Sequence, residues 1–206
     1  MKQKSDSQKH LRRSIRLKGY DYSLGGAYFV TICVKERKFV LEEINNSDVT
    51  LSPIGEIVYR CWSQIPSHFN FTRLDVFVIM PNHLHGVIVI ADDCRGVQLN
   101  APTTRNPSDF YKFISPKRKT LPIVIRTFKA AVTTQYRKNN YHSFEWQRNY
   151  YEYIIRNEDE LNRIREYIID NPLQWQFDRE NPEQVQDKSY YNKWSHFEES
   201  LYCKTK

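Results

Sequence analysis

The sequence predicts an α+β domain, a ferredoxin-like (RRM-like) split β-α-β antiparallel sheet with one further C-terminal helix. Three observations lead there. Two β-branched runs, "LDVFVIM" (74–80) and "HLHGVIVI" (83–90), are separated only by Pro81 and Asn82 and read as an antiparallel pair in mid-chain. Segments with apolar residues at helical spacing lie on either side of that pair, over 52–66 and 120–138. Aromatic and β-branched runs stand outside both, which gives the order β-α-β-β-α-β-α.

Each element has its own signal. "GGAYFVTICV" places the first strand near Tyr28–Val34, with Gly25-Gly26 as a turn before it. In "SPIGEIVYRCWSQIP", Ser52 suits an N-cap and Pro53 the first helical position, while Ile54, Ile57, Val58 and Trp62 repeat at helical spacing. Residues 91–119 hold Pro102, Pro107 and Pro116 among polar residues and read as an extended connection. A second helix runs from Thr120 to about Lys138, with Val124, Phe128, Ala131 and Val132 inward and Arg126, Lys129, Arg137 and Lys138 outward. "FEWQRNYYEYII" (144–155) reads as the fourth strand, and Asn157 with Glu160 as a capping-box variant opening a third helix that ends near Pro172. The organisation expected is a basic arm (1–19), a catalytic domain (20–175) and a polar tail (176–206), with no internal repeat.

Composition narrows the class. A chain of 206 residues can bury a core without disulfides, and Cys33, Cys61, Cys94 and Cys203 form no C-x-x-C pair. No apolar run approaches the roughly 18 residues of a membrane span. The basic N-terminus lacks an apolar signal core, so a cytoplasmic protein without membrane association is expected. The net charge of +7 is unevenly spread: residues 1–18 carry +6 and residues 110–144 carry +8, leaving −7 for the rest. Two basic blocks on an otherwise acidic chain suit a polyanion track. A solvated arm and one basic helix face would give the same count.

Two constellations carry chemistry. His83 and His85 are two apart on a strand, so both imidazoles project from one face and can grip one metal ion; equally, neighbouring polar groups could satisfy them. In "NEDELNRIREYIIDNP", Tyr167 and Asn171 sit one turn apart along the edge of the stripe Leu161, Ile164, Ile168, Ile169. They could address one ion and one phosphate. The plainer reading is a half-core tyrosine with its hydroxyl in water and an asparagine that stops a helix before Pro172. Tyr136–Asn140 and Tyr153–Asn157 share the spacing, but only Tyr167 lies inside a well-defined helix.

Together, "RRSIRLKGYDYSLGGAYFVTICV", "LSPIGEIV", "MPNHLHGVIVI", "WQRNYYEYIIRNEDELNRIREYIIDNPLQW" and "DRENP" closely resemble the REP-associated tyrosine transposases, bacterial relatives of the single-tyrosine HUH transposases of small insertion sequences. The resemblance spans roughly residues 12–182, apart from 91–119, and rests on five motifs in order. It implies that His83 and His85 are the metal-binding HUH pair on a central strand, that Tyr167 on the added helix is the nucleophile, and that Asn171 is the third ligand. Pro172 disfavours helical geometry at Asn171, so that ligand's reach is expected to depend on a distorted last turn. The implied activity is that of a metal-dependent single-stranded DNA endonuclease and strand transferase. It would cleave at or beside hairpins of repetitive extragenic palindromes through a 5′-phosphotyrosine.

The resemblance assigns Mg²⁺ or Mn²⁺, although two imidazoles and an amide suit hard ions less well than carboxylates do. No general base can be named from the sequence. Single-stranded or hairpin DNA is the expected partner, with Arg12, Arg13, Arg16 and Lys18 of the arm on the hairpin flank and Arg126, Lys129, Arg137 and Lys138 on the backbone. A monomer is favoured over a homodimer. The rival readings are a domesticated relative that binds hairpins without cleaving them, against which the intact His83, His85, Tyr167 and Asn171 argue, and an RRM-type RNA-binding module. The second is weakened because "FVTICV" and "HGVIVI" lack the stacking aromatics such a sheet uses.

Overall fold

The computed structural model describes residues 25–45, 48–91, 120–139, 143–185, 194 and 197–199. The elements run β1 (Gly26–Cys33), β2 (Glu42–Asn45), β3 (Asp48–Leu51), α1 (Pro53–Ser63), α2 (Ile65–His68), β4 (Thr72–Met80), β5 (His83–Ile90), α3 (Leu121–Lys138), β6 (Tyr151–Ile155) and α4 (Glu158–Asp170), with a 3₁₀ turn over Asn171–Phe177. The main sheet has the order β4-β5-β1-β6 with every neighbouring pair antiparallel. Counted by its own four strands this is the order 2-3-1-4, the ferredoxin-like arrangement expected from the sequence, and the fold is α+β.

The alternation of strand side chains divides the interior into two layers. Tyr28, Val30 and Ile32 of β1 and Leu84 and Ile88 of β5 face α1 and α3, where Ile57, Val58, Trp62, Val124, Ile125, Phe128 and Val132 close the larger core. The intervening residues Phe29 and Val87 face the other way, against Ile164, Tyr167 and Ile168 of α4 and Trp194 near the C-terminus. His83 and His85 belong to this second face.

The helix starts follow their chemistry. Ser52 Oγ accepts a hydrogen bond from the Gly55 amide at 3.1 Å, and Asn157 Oδ1 accepts one from the Glu160 amide at 2.8 Å. Glu160 completes the second cap by accepting from the Arg156 amide at 2.9 Å. Arg165 grips Asp75 with both arms of its guanidinium, at 2.9 and 2.7 Å, and so ties α4 to the edge strand β4.

Several expectations need correction. The first strand starts at Gly26 rather than Tyr28, and the fourth contracts to Tyr151–Ile155, with Trp146 contributing only an isolated bridge to Val34. The hairpin β2–β3 went unread because four-residue strands leave too few positions for an alternating pattern. Thr120 stands at the N-cap of α3 but makes no side-chain cap bond. Lys129 does not point outward: its ammonium donates to the carbonyls of Gln147 and Asn149 at 2.8 and 2.9 Å, and burial lowers its pKa to about 8. Asn171 keeps helical angles (φ −55°, ψ −42°) despite Pro172, because the backbone passes directly into the 3₁₀ turn and the side chain is buried. The arm and the connection over 92–119 lie outside the described residues.

Gly86, next to the histidine pair, is required by packing. A Cβ there would stand 2.4 Å from a ring carbon of the fully buried Trp62 and 3.1 Å from the Phe77 Cβ. Gly86→Ala is expected to cost about 1–3 kcal/mol. The check is a urea titration, in which the midpoint falls and the slope stays the same.

Candidate functional site

His83 and His85 are both completely buried, and their Nε2 atoms lie 2.9 Å apart. The backbone register sets what holds each ring. His85 pairs with Thr31 across β1, and its Nδ1 lies 2.8 Å from the Thr31 hydroxyl. His83 Nδ1 lies 2.8 Å from Asn82 Oδ1. The Asn82 amide nitrogen donates to the carbonyls of Glu180 at 2.7 Å and Arg37 at 3.2 Å, which fixes its oxygen towards His83. His83 therefore carries its proton on Nδ1 and presents a bare Nε2. Thr31 can donate to His85 Nδ1 or accept from it, so His85 can switch its proton from Nε2 to Nδ1.

The third member comes from the loop after the 3₁₀ turn. Asp178 Oδ2 lies 3.9 Å from His83 Nε2 and 4.0 Å from His85 Nε2, and its other oxygen accepts from the Glu180 amide at 2.6 Å. Among the described residues, His83, His85 and Asp178 form a group that could hold a metal ion, their donor atoms all lying within 4.8 Å of one another. Asp178 Oδ2 and Asn171 Oδ1 are buried without a hydrogen-bond partner, which is the condition of an atom waiting for a cation.

Electrostatics agrees with that reading. Burial, then the neighbouring His85, push the His83 pKa down to about 3, so its imidazole stays neutral at physiological pH. Burial on its own would raise the Asp178 pKa, but the two imidazoles outweigh it and hold the carboxyl below its ordinary value. Two imidazoles and one carboxylate suit a divalent first-row ion better than the two imidazoles and amide read from the sequence.

The Tyr167 ring sits on the same wall, its centroid 5.5 Å from that of His85 and 6.0 Å from that of Phe29. It is wholly buried rather than half-core, because Trp194 and Phe197 cover it edge-on at 5.6 and 5.7 Å. Its hydroxyl donates to Glu198 Oε1 at 3.2 Å. Burial, reinforced by Asp178, raises the Glu198 pKa to about 7. Asn171 is buried beside Asp178. Thus His83, His85, Tyr167 and Asn171 are gathered in one place, while Arg126, Arg137 and Lys138 lie exposed on α3 and Arg12, Arg13, Arg16 and Lys18 lie outside the described residues.

Sequence reasoning missed Asp178, Asn82, Thr31 and Glu180. The segment from 176 onward reads as a polar tail, yet Asp178, Glu180 and Asn181 are buried. Glu180 is held there by ion pairs with Arg37 and Arg179 and by the Cys33 thiol, which donates to it at 3.3 Å. The available signal was chemical: a hard ion wanted a carboxylate, and "DRENP" supplies two.

The fold and the site define a class of protein: a ferredoxin-like sheet with a His-x-His pair on a central strand, a carboxylate beside it and a tyrosine helix over the same face. No protein-family model matches the chain. Over 170 residues, 82% of this chain and 93% of the other, it is 43% identical to a Haemophilus influenzae protein named only as uncharacterized, and it belongs to the same family as that protein. It is also similar in fold to a solved structure described as a REP-associated tyrosine transposase bound to a REP hairpin, with 14% identity, coverage of 89% of this chain and 86% of that one, and a TM-score of 0.49. No helix among the described residues is long and apolar enough to cross a membrane.

Two outcomes are expected. Asp178→Ala should weaken Mn²⁺ binding, measured by calorimetry, by at least about tenfold, and Asn171→Ala by less. Glu198, whose pKa is raised in the folded state, holds more protons there than in an opened state. The grip of Trp194 and residues 197–199 on Tyr167 should therefore weaken as pH rises from about 4.5 to about 7 and level off above that. Glu198→Gln should remove this dependence, read from hydrogen exchange in that segment.

Proposed function

We propose that this protein is a metal-dependent single-stranded DNA endonuclease and strand transferase of the HUH single-tyrosine type, acting at or beside hairpins of repetitive extragenic palindromes. The observation that carries the reading is the buried convergence of His83, His85 and Asp178 with the Tyr167 ring against His85. The motif resemblance supports the same chemistry. His83, His85 and Asp178 would hold a divalent ion, Mg²⁺ or Mn²⁺, with Asn171 Oδ1 as a further donor. Bound there, such an ion supplies Lewis-acid stabilisation of charge on the scissile phosphate.

The chain's own residues do the rest. Tyr167 Oη attacks phosphorus, the bond from phosphorus to the 3′ oxygen breaks, and the 5′ phosphate remains on the tyrosine while the 3′ oxygen takes a proton from solvent and leaves as a 3′-hydroxyl. A tyrosine ordinarily titrates near pH 10, so its proton must be taken during attack. Glu198, which already accepts the hydrogen bond of that hydroxyl, is the acceptor in reach. The exchange of one phosphodiester for another conserves bond energy, so rejoining needs no nucleotide. A phosphate reaches the tyrosine once the ring contacts with Trp194 and Phe197 open, and Glu198 takes the proton only if that opening leaves it within reach of the hydroxyl. Arg126, Arg137 and Lys138 would follow the backbone, and Arg12, Arg13, Arg16 and Lys18 the hairpin flank. Tyr167 lies against His85 of its own chain, which supports action as a monomer.

That cover over Tyr167 favours one second reading, a hairpin-binding protein that does not cleave. A labelled hairpin oligonucleotide incubated with Mn²⁺ separates the two: the wild type forms a covalent adduct on a denaturing gel, and Tyr167→Phe binds the hairpin and forms none. Wild-type binding without adduct selects the second reading. An adduct surviving in Tyr167→Phe and lost in Tyr153→Phe or Tyr136→Phe would name a different nucleophile.

A further inference from the structure

Two adjoining hollows lie between α3 and the stretch after β1. Between α3 and residues 144–148 lies a hollow of about 490 Å³, with Thr133, Thr134, Arg137, Trp146 and Arg148 in its lining. A second hollow, of about 210 Å³, lies between residues 143–145 and the stretch after β1, lined by Lys35, Lys38, Val40 and Ser143. Both share Phe144 and Glu145. The second ends at Val40, and the neighbouring Phe39 is 42% exposed with its ring edge-on to Trp175 at 5.5 Å. The Trp175 ring in turn stands 6.0 Å from His83. Arg137, Arg148, Lys38, Phe39 and Trp175 thus follow one another from the first hollow to the ring that stands beside the buried His83.

The path is fixed by backbone bonds. The amides of Val40 and Leu41 donate to the Pro81 carbonyl at 2.9 and 3.0 Å, tying Phe39 to the turn that precedes His83. The Trp175 carbonyl accepts from the Asp178 amide at 3.1 Å and from the Asn181 side chain at 3.0 Å, tying the second ring to the loop of the carboxylate ligand. Residues 33–35 and 145–147 are joined by bonds from Lys35 to Glu145 and from Gln147 to Cys33, both 2.9 Å, so the ridge between the hollows is also held. Its charge is favourable to an anion. The two acids along it are each matched by a lysine, Glu145 by Lys35 at 2.6 Å and Glu36 by Lys38 at 3.0 Å, while Arg137 and Arg148 add positive charge.

We infer that this path seats a single strand of DNA, with backbone phosphates on Arg137, Arg148 and Lys38 and the unpaired base nearest the scissile phosphate on Phe39 and Trp175. An unpaired strand suits this surface, because its free base faces can stack on exposed aromatic rings, which the paired bases of a duplex cannot do. The inference rests on the single-stranded DNA reading above and adds to it a route for the unpaired strand beside the scissile phosphate and the residues that line it. Phe39 and Trp175 are specificity residues in this scheme, since they touch substrate beside the reacting phosphate.

The test uses the full chain, Mn²⁺ and a fluorescent DNA hairpin with or without an oligothymidine tail of about ten nucleotides on its 5′ or 3′ end. The wild type should bind one tailed form more tightly than the blunt hairpin. Phe39→Ala and Arg148→Glu, both at exposed side chains, should each reduce that advantage about tenfold and leave affinity for the blunt hairpin unchanged. For Arg148→Glu the salt slope should also fall by about 0.7 for each phosphate that is no longer neutralised. Photo-crosslinking with 5-iodouracil in the tail should label Phe39 or Trp175. No advantage from either tail, an advantage that survives both substitutions, or cross-links confined to other surfaces would overturn the path. Adduct formation in the same samples reports on the chemistry separately: a tail advantage abolished in the variants, without any adduct in the wild type, upholds the path and rejects cleavage.

Discussion

Two imidazole Nε2 atoms 2.9 Å apart in a buried interior, sharing one proton that His85 can move to its Nδ1, are the arrangement on which the rest of this molecule depends. The period-two geometry of a strand puts His83 and His85 on one face, and the central place of β5 in the sheet buries both. Without further support, that burial would favour rotation of the rings toward other partners. Thr31 and Asn82 prevent it by occupying the two Nδ1 atoms, and Asp178 supplies the opposite charge that makes the cluster a group that could hold a cation. Asn82 is itself held by carbonyls from two distant segments, so the orientation of His83 depends on the turn after β1 and on the loop after the 3₁₀ turn at the same time.

The fold was legible in the sequence because its signals are local. Ser52, Pro53, Asn157 and Glu160 act within one helical turn, and the alternation in "HLHGVIVI" states which side of β5 is which. The histidine pair was readable for the same reason. Asp178 was not, since it meets His83 through a loop 95 positions along the chain and no periodicity reaches that far. Lys129 shows the opposite failure. Its position on the wheel of α3 is polar and outward by pattern, but carbonyls left unpaired by the irregular run before β6 draw its ammonium in. Where local pattern and long-range hydrogen bonding disagree, the buried bonds decide.

Tyr167 belongs to both worlds. Its place on the helix was visible as a residue bordering an apolar stripe, and the structure completes its burial with Trp194 and Phe197 from the far end of the chain. The Arg165–Asp75 pair, two residues away on the same helix, keeps that helix against its own sheet. A tyrosine held in this way is positioned by the core, at the cost of access, so any use of its hydroxyl must trade the stability of an aromatic cluster for exposure. The raised pKa of Glu198 places part of that balance within the neutral pH range.

The charge of +7 acquires a direction from these details. Lys129 is committed to carbonyls, and Lys35 and Lys38 are each paired with a glutamate, so a simple count of basic residues overstates what is free to meet a polyanion. Pairing does not remove the lysines from use, however. A phosphate arriving at the ridge competes with an exposed carboxylate for the same ammonium, and an exposed ion pair is worth little. The acids therefore act as placeholders that keep the lysines along the hollows extended over the surface in the absence of ligand, and release of a carboxylate to water costs far less than leaving a buried charge alone. A basic surface built from weak exposed pairs is thereby ready for an anion without carrying a large uncompensated field. The strongly held pairs of Arg37 and Arg165 are kept for the architecture of the site itself.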